Sequence, residues 1–180
     1  MHAVTGKLCE LTGERLILTP FAESDITEEY VSWLRDPEVV RFSNQRFRQH
    51  DPSTCLKYLQ SFDGTENLFL AIRMRESGKT IGTITAYVSP PHGTADLGIL
   101  LGDRAYWGRE LGLDAWTTLM AFLFEKRGLR KVTGGTLRCN AATIKIMERS
   151  GMHLEAVRAR QEIVEGEAQD ILYFAKFRDD

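Results

Sequence analysis

The stretch Ala95-Asp96-Leu97-Gly98-Ile99-Leu100-Leu101-Gly102-Asp103, followed by Trp107-Gly108-Arg109-Glu110-Leu111-Gly112-Leu113-Asp114-Ala115, decides how the chain is read. It reads as a strand, a glycine-containing loop and the first turn of a long helix, because Leu111, Ala115, Leu119 and Phe122 then recur at helical spacing until Gly128. The first amides of a helix lack internal partners and sit at the positive end of its dipole, so a phosphate or pyrophosphate fits there without many basic side chains. Gly108 and Gly112 would let the backbone come close to an anion. Alone this feature is weak, since such a turn is more often only a turn. Neither a Walker loop nor Gly-x-Gly-x-x-Gly is present.

Downstream, Arg130 to Arg138 reads as another strand, so strand, helix and strand imply a parallel crossover. Asn140 can cap a short helix carrying Ile144 and Met147 that stops at Ser150-Gly151, and the rest reads as a hairpin turning near Glu165-Gly166. Upstream, Leu68, Leu70, Ile72 and Met74 alternate, and turns at Glu76-Lys79 and Ser89-Gly93 join three antiparallel strands into a meander. Before that, Arg15 to Thr19 predicts a strand, and Ile26, Tyr30, Trp33 and Leu34 predict a helix ended by Asp36-Pro37. Asp51-Pro52-Ser53 opens a second helix over Cys55, Leu56, Leu59 and Phe62. The order β-α-α-β-β-β-α-β-α-β-β is a mixed α/β layer structure without repeat or linker.

The chain has 180 residues, enough for one domain spanning 1–180 at roughly 150 residues per domain. A hydrophobic fraction of 43% and a charged fraction of 27% exclude disorder and fibrous structure. Net charge is −2, so no global attraction to nucleic acid or an anionic membrane is expected. No apolar run approaches a spanning helix, and Met1 to Glu10 lacks the order of a signal peptide, so a cytoplasmic location is expected. Cys9, Cys55 and Cys139 are widely spaced, as are His2, His50, His92 and His153. Reduced thiols and no metal cofactor are therefore expected.

Asn140-Ala141-Ala142-Thr143, then Glu148-Arg149-Ser150-Gly151-Met152, directly follows the second parallel strand. With Trp107 to Ala115 at the observed separation, the chain resembles the GNAT superfamily of acetyl-CoA-dependent N-acetyltransferases. The likeness is to the branch of ribosomal-protein N-terminal acetyltransferases and their amino-sugar and other small-amine relatives. That family's pyrophosphate loop reads like Trp-Gly-Lys-Gly-Tyr-Gly-Thr-Glu-Ala, and its later motif like Asn-x-x-Ser leading to Glu-Lys-x-Gly-Phe. The resemblance implies a mixed central sheet of about seven strands, with splayed parallel strands 4 and 5 and about four helices.

It also implies roles. Ile99, Leu100 and Leu101 would meet the pantetheine amides of acetyl-CoA, with a strand N–H near Leu100 or Leu101 as oxyanion donor. Trp107, Gly108, Arg109, Glu110, Leu111, Gly112 and Leu113 would form the pyrophosphate loop, Asn140 would touch the pantetheine arm, and Thr143 stands where relatives place a serine hydroxyl near the sulfur. Thr143 is equally a helix-turn hydroxyl. Asp96 matches a family acidic position and is the first candidate to anchor or deprotonate the amine. Glu155 is the second. A surface-strand and an edge-strand charge are the plain alternatives. Two positions depart from the family. Glu110 stands where the signature's first glycine belongs, a carboxylate beside a pyrophosphate, which Arg109 would have to offset; reading the signature from Arg109 instead ends it on Asp114. Met147 replaces the tyrosine that many members use to protonate the thiolate, a tolerable loss because a thiol of pKa about 8.5 leaves readily.

For the acceptor, Arg41, Arg46, Arg48 and His50 form a loop without acids that is either solvated or suited to an acceptor phosphate. Tyr30 to Val39, with Trp33, resembles relatives that acetylate amino sugars, which often carry nucleotide diphosphates. Trp33, Arg46 and Arg48 are therefore substrate-binding candidates for an amino sugar. A protein N-terminal amine is the alternative. The acidic Glu162, Glu165, Glu167 and Asp170 would instead suit a cationic peptide or polyamine. A homodimer is common among the relatives, and a non-catalytic acetyl-CoA-binding module is the competing class.

Overall fold

The computed structural model describes Leu8 and residues 10–179; the readings of His2, Cys9 and the Met1–Glu10 stretch, Leu8 and Glu10 apart, fall outside the described residues. Among the described residues eight strands form one sheet in the order β1-β2-β3-β4-β5-β6-β8-β7. They are β1 (Leu11–Thr12), β2 (Leu16–Pro20), β3 (Leu68–Met74), β4 (Thr80–Ser89), β5 (Thr94–Leu101), β6 (Lys131–Leu137), β7 (His153–Val164) and β8 (Glu167–Phe177). All neighbours are antiparallel except β5 and β6, which the α4 crossover joins in parallel. The helices are α1 (Glu28–Arg35), α2 (Pro37–Val40), α3 (Pro52–Gln60), α4 (Leu111–Glu125) and α5 (Ala141–Arg149).

Among the described residues the sheet has one strand more than the seven expected and the α-helices number five rather than four. The extra strand is β1, two residues long. The extra helix is α2, and its origin is at Asp36-Pro37. Asp36 is extended (φ −77°, ψ 113°), as a residue before proline should be, and so ends α1. Its carboxylate then accepts from Glu38 N–H, with Pro37 at the first helical position, and a new turn begins at once.

Hydrophobic clusters cover the two faces of the sheet. On one, Leu16, Leu18, Leu70, Ile72 and Ile84 pack against Leu111, Ala115, Trp116, Leu119 and Leu123 of α4 and Met147 of α5. On the other, Phe69 and Ala71 pack against Tyr30, Val31, Trp33 and Leu34 of α1 and Cys55 of α3. Each fully buried Leu, Ile or Met contributes about 1.5–3 kcal/mol relative to an exposed one. Phe62, Phe69, Phe21 and Tyr58 form a chain of ring contacts under α3, with centroids 4.4 to 5.2 Å apart. No helix among the described residues is long and apolar enough to cross a membrane.

Candidate functional site

β5 and β6 pair only where Thr94–Leu97 faces Lys131–Gly134. Beyond that point β5 stays bonded to β4 as far as Leu101 and β6 to β8 as far as Leu137, so the two parallel strands part. Gly102 N–H donates to Ile81, while the Trp107 indole N–H donates to the Leu101 carbonyl at 2.8 Å. By the alternation of an antiparallel ladder, the even-numbered residues bond to β4. The N–H and C=O of Ile99 and the N–H of Leu101 therefore face the gap. Of the two oxyanion donors expected, Leu101 is the one so directed; Leu100 N–H is turned to β4.

The gap widens into a cleft of about 850 Å3. Ile99, Leu100, Leu101, Trp107, Gly108, Arg109, Glu110, Leu111, Gly112, Leu113, Asn140 and Thr143 all line it. Its floor holds the start of α4. Glu110 is the residue before that helix, in the left-handed region (φ 62°, ψ 11°), and its side chain caps no amide. It is held by Arg149 of α5 instead. Arg149, with Lys145 and Arg15 further off, keeps the Glu110 carboxyl below the usual glutamate range. The charge that offsets Glu110 is thus Arg149 and not Arg109, whose ring partner is Tyr106 and whose carbonyl accepts from Arg15.

Asp114 is turned away from the cleft. Its two oxygens accept from the N–H groups of Glu14 and Arg15 at 2.9 and 2.8 Å and hold the β1–β2 turn against α4. A Cβ on Gly13 would meet that carboxylate at 2.5 Å, which explains the glycine there. Gly112 also serves packing: a Cβ would lie 2.8 Å from Ile146 Cδ1, so the small residue lets α5 close on α4. Gly108, with φ 71° and open space around it, is the position free to meet a ligand.

The Asn140 amide caps α5. Its oxygen accepts from Thr143 N–H at 3.3 Å, and its nitrogen donates to the hydroxyls of Thr136 and Thr143, each at 3.0 Å. The Thr143 hydroxyl accepts from the Asn140 side chain, and the residue lines the cleft. Asp96 also lines the cleft, with its carboxylate accepting from the Thr133 hydroxyl at 2.7 Å. Loss of hydration between the cleft walls raises its pKa above the ordinary aspartate value, and the Thr133 hydrogen bond partly opposes this.

Four expected site residues lie elsewhere. Glu155 sits in a bulge of the edge strand β7 and is held by Lys131, at the end of β6 remote from the splay. Trp33 is 7% exposed, and a Cβ on Gly102 would meet its ring at 2.0 Å, so it packs beneath the end of β5 and is closed to a substrate. Arg46 bonds to the carbonyls of Ser43 and Ile163 and lies 3.6 Å from Glu162. Arg48 lines a separate pocket of about 640 Å3 beyond it. The basic loop and the acidic tail, which read as alternatives in sequence, face each other: Arg41 is bidentate to Glu165 at 2.9 and 3.1 Å. Met147 is fully buried against Gly134, in the core and out of reach of a thiolate.

Sequence reasoning missed Lys145 and Arg149, which line the cleft from α5, and Tyr173, whose ring covers Gly135. It also missed Glu38, and it placed Glu162 only on a charged tail; both line the cleft. The i, i+4 spacing of Lys145 and Arg149 was the available signal for the first pair. Glu162 follows an irregular stretch in which β7 carries extra residues opposite β8 and Arg160 has φ 50°. Such a bulge re-aims a side chain, and Asp170, which accepts from Arg160 N–H at 2.8 Å, locks it. Among the described residues no three His, Cys, Asp or Glu side chains converge on a metal position.

Residues 15–153 match the family model described as an acetyltransferase (GNAT) domain. Solved structures share the fold at low identity. A GNAT-family acetyltransferase from Bacillus anthracis superposes with a TM-score of 0.81 at 16% identity, covering 95% of this chain and 99% of the other. The ribosomal-protein-S5-alanine acetyltransferase from Vibrio fischeri gives 0.78 at 16%, covering 95% and 97%. Spermidine N-acetyltransferase from Vibrio cholerae, in complex with CoA and spermine, gives 0.81 at 12%, covering 92% and 96%. With the family model spanning most of its length and the parallel pair splayed over a helix start, this chain belongs to the GNAT family of acetyltransferases.

Proposed function

We propose that this N-acetyltransferase, working as one domain over residues 1–180, uses acetyl-CoA and passes the acetyl group directly to a primary amine while both are bound. The observation behind this reading is that the splay makes one cleft whose lining combines a helix start, with Arg149 and Lys145, and the carboxylates of Asp96, Glu38 and Glu162. The residues fit the co-substrate. Ile99 offers an extended backbone edge to amide groups, and the free amides at the start of α4 with two cations offer a phosphate site. Bound there, acetyl-CoA supplies an activated acetyl thioester.

The chain's own residues then have defined work. Leu101 N–H points into the splay and is placed to hold negative charge as it develops on an acyl oxygen. Asp96 accepts a proton or anchors an ammonium, and Thr143 O–H is the donor nearest the Asn140 cap. An Asp with a raised pKa is still a modest base. It suits an amine of pKa near 8, roughly 10% neutral at pH 7, better than a lysine or polyamine near 10.4. We therefore favour a low-pKa amine, an amino sugar first and a protein N-terminal amine second. The nucleotide-diphosphate part of that reading loses its support, because Arg46 is engaged by Glu162 and Arg48 lies outside the cleft. Of the two residues that motivated a non-catalytic module, Met147 is a core residue and the Glu110 charge is offset by Arg149.

Incubation with acetyl-CoA and a panel of free and nucleotide-linked amino sugars, terminal peptides, lysine peptides and polyamines, read by mass spectrometry, tests the proposal. Acetylation confined to amino sugars or peptide α-amines is expected. Product from lysine or polyamines alone would overturn the acceptor class, and tight acetyl-CoA binding with no product from any amine would favour the binding module.

A further inference from the structure

The cavity of about 640 Å3 is lined by the end of α1, the segment from α2 to α3 and the β7–β8 turn. Its size is that of a small-molecule site, for which about 300–1,000 Å3 is usual. Arg35, Arg41, Arg46 and Arg48 line it, against Asp51 and Glu165. Both carboxylates are committed: Asp51 accepts from Thr54 N–H at 2.8 Å and caps α3, and Glu165 takes Arg41 in a two-pronged pair. The other three guanidiniums are not matched in this way. Arg35 Nε donates to the His50 carbonyl at 2.8 Å, and Arg46 donates to the carbonyls of Ser43 at 2.8 Å and Ile163 at 3.2 Å, over the Phe47 ring. Their carboxylate contacts are longer, 3.3 Å from Arg35 to Glu28 and 3.6 Å from Arg46 to Glu162, and neither acid lines this cavity. The Arg48 guanidinium has no hydrogen bond or ion pair among the described residues. A carbonyl orients a guanidinium without cancelling its charge, so the cavity holds excess positive charge in fixed positions.

The geometry points to a second ligand site: this cavity binds a small organic phosphate, with Arg48 and the carbonyl-held Arg35 and Arg46 as donors to the phosphate. Guanidinium forks match phosphate oxygens, and a dianion can use several forks at once where a single carboxylate is served by one. Leu34, Val40 and Val164 give the organic part an apolar wall. The phosphate chemistry suggested by the basic loop is thus kept, and the occupant is a separate ligand rather than an arm of the amine acceptor. Arg35, Arg46 and Arg48 line this cavity and not the cleft, so the inference does not rest on the acetyl-CoA reading.

The experiment is an amide NMR titration of the whole isotope-labelled chain at pH 7 with phenyl phosphate, inorganic phosphate, benzoate and phenol, repeated on Arg48→Gln. Phenyl phosphate should move the amide signals of Gln45, Arg48, His50 and Glu165. Its binding should be about tenfold tighter than that of benzoate or inorganic phosphate, and phenol should leave these signals in place. Arg48 is an exposed loop residue, so the glutamine variant should keep the wild-type spectrum elsewhere and bind phenyl phosphate about tenfold more weakly. Signal movement confined to Gly108–Leu113, the other anion position, overturns the inference, as does the absence of any movement. Benzoate or phenol matching phenyl phosphate overturns the phosphate class, inorganic phosphate matching it overturns the role of the apolar wall, and unchanged affinity in Arg48→Gln overturns the assignment of the donors.

Discussion

Asp96 accepts the Thr133 hydroxyl hydrogen bond in a position where the cleft walls cost it hydration, and its pKa lies above the ordinary value for that reason. The folded protein then keeps the Asp96 proton to higher pH than the unfolded chain does, so this group's contribution to stability falls as pH rises through the window between the two values. Asp96→Asn should remove that loss: the variant should melt higher than wild type at pH 7, and the difference should vanish at pH 3, below the ordinary Asp pKa of about 3.9. The same change should lower kcat at least about tenfold with little effect on the KM for acetyl-CoA, the pattern of a group acting on the transferred proton. Equal melting shifts at both pH values would show that burial does not set this pKa. A second pair of variants isolates the phosphate loop. Gly108 has φ 71° and open space, and Asn and Asp tolerate that conformation best among residues with side chains. Gly108→Asp should weaken CoA binding about tenfold or more while Gly108→Asn binds nearly as wild type, since the two differ in charge alone; a matched loss in both would point to backbone strain. These positions on one strand and one loop were legible because they are contiguous in sequence. Arg149 and Tyr173 were not, because each meets the cleft only after α5 and β8 have folded over it.

The end of β5 is set by a helix on the other face of the sheet. α1 buries Tyr30, Val31, Trp33 and Leu34, and the Trp33 ring lies so close to Gly102 that a Cβ there would sit at 2.0 Å. Gly102→Ala forces the ring or the strand to move, and overpacking of this kind costs about 1–3 kcal/mol. Trp33→Leu makes room, so the double variant should lose less stability than the two single losses summed, measured by denaturant unfolding. Additive losses would mean the two residues do not share the contact. Trp33→Leu should also leave the ratio of acceptor to acetyl-CoA KM near wild type, unlike a residue that touches substrate. Trp33 shows where element-level reading failed: its helical spacing was read correctly, but the same spacing serves a buried stripe and a substrate-facing one, and only the partner strand decides. The two-residue periodicity of β3 and the turn at Gly78 placed the meander correctly because period and glycine are local signals. The short β1 and α2 have too few residues to show a period, and Asp36 could be read as a stop for α1 without revealing that it also starts α2.

At the scale of the whole molecule, the sheet separates two regions that must meet for chemistry. Even-numbered residues of β5 look toward α1 and α3, and odd-numbered ones toward α4, with Leu100 in one cluster and Ile99 and Leu101 against the other. Among the described residues the splay is where the strand order opens the sheet between them, and on the proposed reading an amine from the Asp96 side and a thioester over α4 would be bound there together. Covalent relay through the protein would instead need a nucleophile with a base beside it in the cleft. Among the described residues, the Thr143 hydroxyl has the Asn140 amide and no base beside it, Cys55 of α3 is buried, and Cys139 is exposed but is not part of the cleft wall. Initial-velocity lines for the two substrates should therefore intersect, dead-end CoA should not be needed to trap an intermediate, and intact-mass spectra of protein mixed with acetyl-CoA alone should show no acetylated enzyme. Parallel lines together with an acetylated peptide containing Thr143 or Cys139 would show that the acetyl group rests on the chain in transit, and that the splay brings the substrates in succession rather than together.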